Sequence, residues 1–156
     1  MVEHFIRNER VVGSIPIVGS LLLKHAMNIL SIKETCIYVE DLDRTKDFYS
    51  DKLGLPLIAL VKNRHVFFRA GNSVLLCFIT ESTEKEVQLP PHGAHGAIHF
   101  AFEVSKEEYS ATLKQIKSCD IEILHEHSWK NNIRSFYFHD PDGHLVEIIE
   151  QGLWEQ

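Results

Sequence analysis

Residues 33–80 and 97–150 follow one plan, and a chain that repeats itself at this spacing has few ways to fold. Each half opens with a stretch that alternates faces as a strand does. In ETCIYVE (34–40), Glu34, Cys36, Tyr38 and Glu40 share one side, and Thr35, Ile37 and Val39 the other. In AIHFAFEV (97–104), His99, Ala101 and Glu103 share a side. A helix is expected next in both halves. In the first, Asp41 or Asp43 caps it, Leu42, Phe48, Tyr49 and Leu53 form its apolar stripe, and Gly54 stops it. In the second, Ser105 to Glu108 reads as a capping box, followed by Tyr109, Leu113 and Ile116 at helical spacing. Three strands then complete each half: 56–62, 65–70 and 73–79, and 121–126, 134–140 and 144–150. Gly71-Asn72 and Asp140-Pro141-Asp142-Gly143 are the turns before the two last strands.

This predicts an α+β protein of two βαβββ modules, whose strands combine into a cupped mixed sheet around a central cleft. A repeat of roughly 65 residues is too long for a solenoid and suits a pseudo-symmetric pair. The modules are placed at 27–80 and 97–156, joined by a polar, Pro- and Gly-containing linker at 81–96, as one functional domain over 27–156. Residues 1–26 read as an N-terminal extension, with a helix that covers the sheet or docks on a partner chain as the alternative. Its apolar run, 11–23, resembles a signal peptide only faintly, since Glu3 and Glu9 sit where basic residues belong and Lys24 and His25 stand where small ones do. The run is also shorter than the roughly 20 apolar residues a membrane helix needs.

Composition excludes several classes of function. With 156 residues, 44% hydrophobic and 24% charged, the chain reads as a globular protein with a core of its own. Sixteen Lys and Arg against 22 Asp and Glu give a net charge of −6, which argues against a nucleic-acid partner. Cys36, Cys77 and Cys119 form no CxxC pair, so reduced thiols and a cytoplasmic location are expected, with no membrane partner.

Superposing the halves locates the chemistry. Glu34 stands to Val39 as His99 stands to Val104, and Glu147 stands to Gly143 as Leu75 stands to Gly71. Pseudo-symmetry should bring these four positions together, and three of them carry metal-ligating side chains. One imidazole with two carboxylates makes a fairly hard site for a divalent ion with open positions, leaving Mn, Fe, Ni, Zn and Mg as candidates. Such an ion chelates two neighbouring substrate oxygens and stabilises a developing oxyanion, while a nearby carboxylate moves a proton. Glu34 and Glu147 are the expected catalytic groups, and Glu34, His99 and Glu147 the expected ligands.

ETCIYVEDLDRTKDFYSDKLGL resembles the opening of the vicinal oxygen chelate superfamily, which holds glyoxalase I, bleomycin-resistance proteins, fosfomycin-resistance transferases and extradiol dioxygenases. AIHFAFEV and RSFYFHDPDGHLVEII resemble its second half, and Gly152-Leu153-Trp154 resembles the tail of a branch that implies no defined substrate. The resemblance implies paired βαβββ modules with a metal at the centre. His99 and Glu147 match the family's second-module ligands, and Glu34 stands where the family has His or Gln. The fourth ligand of glyoxalase I is missing, since Leu75 and Leu76 are the candidates for it. Ser135 and Tyr137 match positions where fosfomycin enzymes hold a phosphonate. Extradiol dioxygenases need two His and one carboxylate, a ratio that Glu34 inverts.

Around the ligands, Tyr38 shares the parity of Glu34, and Phe67 and Arg69 share a face with His65. Lys130 and Arg134 offer positive charge to an anionic group, although Arg134 and Tyr137 have opposite parity and only one of them should face the cup. The expected substrate-binding set is Tyr38, Phe67, Arg69, Lys130, Arg134, Ser135 and Tyr137. The functional expectation is a metal-dependent enzyme acting on a small oxygen-rich molecule, by lyase or isomerase, thiol-transferase or dioxygenase chemistry. A metal-free drug-binding protein of the bleomycin-resistance type is the alternative. Modules of this kind often dimerise in that family, which makes a homodimer a further expectation.

Overall fold

The computed structural model describes residues 27–155, so the reading of 1–26 as an extension lies outside the described residues. The chain divides into two compact units, Met1–Leu30 and Ser31–Gln156. In the described part of the first, Met27, Ile29 and Leu30 are exposed. The second holds both modules.

The first module begins with strand β1 (Glu34–Tyr38), where Ile37 is the buried alternate. Asp41 then ends the extended chain and caps helix α1 (Leu42–Lys46), its carboxylate accepting from the amides of Asp43 and Arg44 at 2.9 and 3.0 Å. The helix widens into a π-helical stretch (Asp47–Lys52), which turns the adjacent Phe48 and Tyr49 both inward. Gly54, at φ +79°, releases the chain as expected. Strands β2 (Leu57–Val61), β3 (His65–Ala70) and β4 (Ser73–Phe78) follow. A short helix α2 (Thr80–Thr83) occupies what the sequence suggested was the start of the linker.

The second module repeats the plan with strand β5 (His99–Val104), helix α3 (Tyr109–Ser118), strand β6 (His125–Ser128), a 3₁₀ turn at Lys130–Asn132, and strands β7 (Arg134–His139) and β8 (Leu145–Glu150). Half of the expected capping box forms, the Glu108 amide donating to Ser105 Oγ at 3.3 Å. The strand expected at 121–126 starts later. Ile121 and Ile123 pack into the core instead, and the ladder with β7 begins only at His125.

Two four-stranded mixed sheets result, in the orders β1-β4-β3-β2 and β5-β8-β7-β6. In each, the first strand lies parallel to the last and the remaining pairs are antiparallel. One face of each sheet joins the helices in a shared core. Ile37, Tyr49, Val66, Phe68 and Cys77 come from the first module, and Tyr109, Ile116, Phe136, Phe138 and Val146 from the second. Polar bolts cross this seam. Tyr49 Oη donates to Asp140 Oδ2 at 2.7 Å, and Arg44 pairs with Asp142 at 2.7 Å. His144, which reads as a turn residue, is buried. Its Nε2 donates to the Tyr38 carbonyl at 2.8 Å while Nδ1 accepts from the Ile98 amide at 3.2 Å.

Candidate metal centre and its surroundings

The face of each sheet away from the helices carries the chemistry. On the second sheet, cross-strand register sets three rows: His99, Leu145 and His139; then Ala101, Glu147, Tyr137 and His125; then Glu103, Ile149, Ser135 and His127. Parallel pairing of β5 and β8 thus puts His99 and Glu147 on one face in neighbouring rows. His99 Nδ1 lies 3.1 Å from the Leu145 carbonyl, which assigns the ring hydrogen to Nδ1. Its Nε2 then presents a lone pair toward Glu147 Oε2, 3.4 Å away. Two lone-pair atoms converging in this way suit a cation between them. A ring hydrogen anchored on a carbonyl is also the usual support of a metal-bound imidazole.

Glu147 strengthens that fit. Its side chain is only 7% exposed, and no lysine or arginine pairs with it among the described residues. A carboxylate so dehydrated needs compensation. Part of it comes from Tyr137, whose hydroxyl donates to Oε1 at 2.7 Å. Behind it, Ser135 Oγ lies 3.3 Å from Tyr137 Oη, and Trp129 Nε1 donates to Ser135 Oγ at 2.9 Å. Burial, followed by the bond to Glu147, pushes the Tyr137 pKa above its ordinary value despite the opposing Ser135 bond.

Glu34 does not join them within one chain. It is exposed at the start of β1, on the other sheet. Among the described residues no group of three His, Cys, Asp or Glu side chains is placed to hold a metal. Turn counting also misplaced its neighbour. Glu34 pairs with Val74 and Cys36 with Leu76, so Leu76 rather than Leu75 shares the face of Glu34. The two-residue turn before β4 is tighter than the one before β8, and it shifts the register by one.

The remaining predicted residues divide by face. On the first sheet, Glu34, Val74 and Arg69 form one row, Cys36, Leu76 and Phe67 the next, and Tyr38, Phe78 and His65 the third. Arg69 is exposed, with Nη1 3.4 Å from the Ser73 carbonyl. Phe67 stacks flat on His65, with ring centroids 4.0 Å apart. Tyr38 Oη lies 2.7 Å from Nδ1 of His92, a linker residue laid against Phe78. Lys130 is exposed in its turn. Arg134 is placed on the helix face, where it pairs with Glu150 and stacks over Tyr109 at 4.3 Å. Ser135 is fully buried. Trp129 was not among the expected residues, although it continues the alternation of His125 and His127. A cavity of about 640 Å³ lies between the modules, lined by Thr35, Leu75, Phe100, Phe102, Ile116 and Ile148 among others. The strand residues among these have the parity opposite to His99 and Glu147, while Ala101 and Glu103, which share theirs, line the cavity as well.

Residues 26–148 match the family described as the Glyoxalase/Bleomycin resistance protein/Dioxygenase superfamily. The chain belongs to this superfamily. A superfamily relative, the glutathione transferase FosA of Serratia marcescens, is 28% identical over 124 residues, covering 76% of this chain and 79% of its own. The metallothiol transferase FosB of Staphylococcus epidermidis strain ATCC 12228 is 27% identical over 123 residues, covering 78% and 82%. The crystal structure of lactoylglutathione lyase from Agrobacterium tumefaciens superposes with a TM-score of 0.78 at 33% identity, covering 83% of this chain and 99% of that one. The superfamily's fold of two modules around a cleft is therefore the fold of this chain, and its relatives include enzymes. No helix among the described residues is long and apolar enough to cross a membrane.

Proposed function

We propose that this chain is a divalent-metal-dependent enzyme of the thiol-transferase or lyase kind, acting on a small molecule that offers the metal two neighbouring oxygens. The observation that carries this reading is the pair His99 Nε2 and Glu147 Oε2, two lone-pair atoms facing each other at 3.4 Å on a sheet face. His99, Glu147 and Glu34 would hold the ion. Since Glu34 stands exposed on the other sheet, it is supplied by a second copy of the chain, and the protein works as a homodimer. The ion, once bound, polarises substrate oxygens and stabilises negative charge that develops on them. The names of the relatives favour thiol chemistry, and one imidazole with two carboxylates fits it better than dioxygen chemistry.

The chain's own groups have separate tasks. Tyr137 holds Glu147 Oε1, which leaves Oε2 facing His99 Nε2, where the pair would hold the ion. Glu34, exposed at its strand end within one chain, would move a proton only on detaching from the ion and would otherwise serve as a plain ligand. Cys36 lies exposed on the same strand face, and partial desolvation, then the charge of Glu34, raise its pKa. The names of the relatives support a thiol supplied by a co-substrate. Free cysteines at 36, 77 and 119 suit a reducing cytoplasm.

Elemental analysis of protein purified without chelator or a metal column tests the reading. About one divalent ion per chain is expected, falling to background in Glu147→Gln, His99→Ala and Glu34→Ala. No uptake after reconstitution with Mn, Fe, Ni and Zn in turn would overturn it, in favour of a metal-free ligand-binding protein.

A further inference from the structure

The hydrogen bonds behind Glu147 have a direction that can be read off. An indole N–H donates and cannot accept. Trp129 Nε1 therefore gives its hydrogen to Ser135 Oγ at 2.9 Å. Ser135 is fully buried, and among the described residues its own hydrogen has one acceptor in reach, Tyr137 Oη at 3.3 Å. Tyr137 in turn donates to Glu147 Oε1 at 2.7 Å. Reversing the series would strand the Ser135 hydrogen in the interior and strip Glu147 of its donor, both costly when buried. Every hydrogen thus points the same way, from the rim of the sheet to the carboxylate.

We propose that Trp129, Ser135 and Tyr137 are positioning residues for Glu147, a one-way donor series that pins Oε1 and leaves Oε2 facing His99. The series crosses three strands. Trp129 lies just beyond the end of β6, Ser135 and Tyr137 are alternate residues of β7, and Glu147 sits opposite Tyr137 on β8. Its outer end is steadied by His127, whose ring meets the indole edge-on at 4.5 Å. The buried Ser135 hydroxyl, expected from the family resemblance to touch substrate, instead serves the carboxylate from behind. Its effect on metal affinity rests on the reading of Glu147 as a ligand. The direction of the series does not. Partners standing behind a metal ligand typically change affinity by about 10–100-fold when removed.

Two measurements on the full chain test the proposal and keep it separable from the metal reading. The first needs no metal. In ¹⁵N-labelled protein the indole N–H resonances of Trp129 and Trp154 are told apart by Trp154→Phe. Ser135→Ala should displace the Trp129 resonance and speed its exchange with water. Tyr137→Phe and Glu147→Gln should shift it by successively smaller amounts. A Trp129 resonance indifferent to Ser135→Ala or to Tyr137→Phe overturns the series. The second is zinc titration. Trp129→Phe, which keeps a ring against His127, should weaken zinc binding about 10-fold while still unfolding in one cooperative thermal transition. Glu147→Gln should abolish it. Wild-type zinc affinity in Trp129→Phe overturns the positioning role while the ligand reading stands. A protein that takes no zinc, yet whose Trp129 resonance still answers to Glu147→Gln, keeps the series and overturns the ligand reading.

Discussion

His65 combines burial with a neighbouring charge in a way that makes stability depend on pH. It is 8% exposed, its ring lies flat on Phe67, and its Nδ1 is 3.3 Å from the Arg64 guanidinium. Loss of water around the ring, and then the charge of Arg64, hold its pKa below the ordinary 6.5. As pH falls below about 6.5, the unfolded chain takes up a proton at this position before the folded one does. Stability should therefore decline from that pH downward, until the folded imidazole itself titrates. Denaturant unfolding of wild type and His65→Phe at pH 7.5 and pH 5.5 checks this, with a smaller loss expected in the variant. At the same scale, Arg134 illustrates what residue type does not decide. A lone arginine on a strand reads as an anion contact or as a structural pair with equal ease. Here Glu150, 2% exposed, claims it on the helix face. Trp129 was equally hidden, because an indole at a strand end carries no signal of what its N–H meets.

At the scale of the element, capping chemistry transferred from sequence to structure most directly. Asp41→Ala removes the acceptor of two helix-end amides and should cost about 1 kcal/mol, measured as a shift of the denaturation midpoint. The strands were legible from alternation and from turns, and Gly71 and Gly143 both adopt the positive φ that their turns require. Two elements were not legible, for different reasons. Residues 121–126 alternate as well as any strand, but whether a ladder forms depends on β7, which lies outside the segment. The π-helical stretch leaves no mark in the pattern of DFYSDK, since adjacent Phe48 and Tyr49 fit the apolar stripe of an ordinary α-helix equally well. That His99 and Glu147 share a face was legible because strand parity places both there. Nothing local indicated that Glu34 would lie on a different sheet of the same chain.

At the scale of the whole molecule, the proposed division of the site between copies has a consequence that mixing experiments read. Glu34→Ala and Glu147→Gln are each expected to bind no metal alone. In a mixed dimer one site gathers both defects and the other none. An equal mixture, unfolded and refolded together, should therefore recover about a quarter of wild-type metal content under statistical pairing. No recovery, beside folded variants of dimeric mass, would overturn the division of the site between copies, and metal retained by Glu34→Ala alone would place Glu34 outside the ligand set.

The parallel pairing of first and last strands also bears on the order in which the molecule assembles. Strands β6, β7 and β8 are neighbours along the chain and can meet as a meander. His99 reaches Glu147 only when β5 docks on β8, closing a loop of roughly forty residues, a late and entropically expensive contact. The two side chains are thus held apart until the sheet is finished. Were they the ligands proposed above, a half-folded second module would have nothing with which to grip an ion, and metallation would be a test of completeness, applied after the polypeptide has committed to its shape.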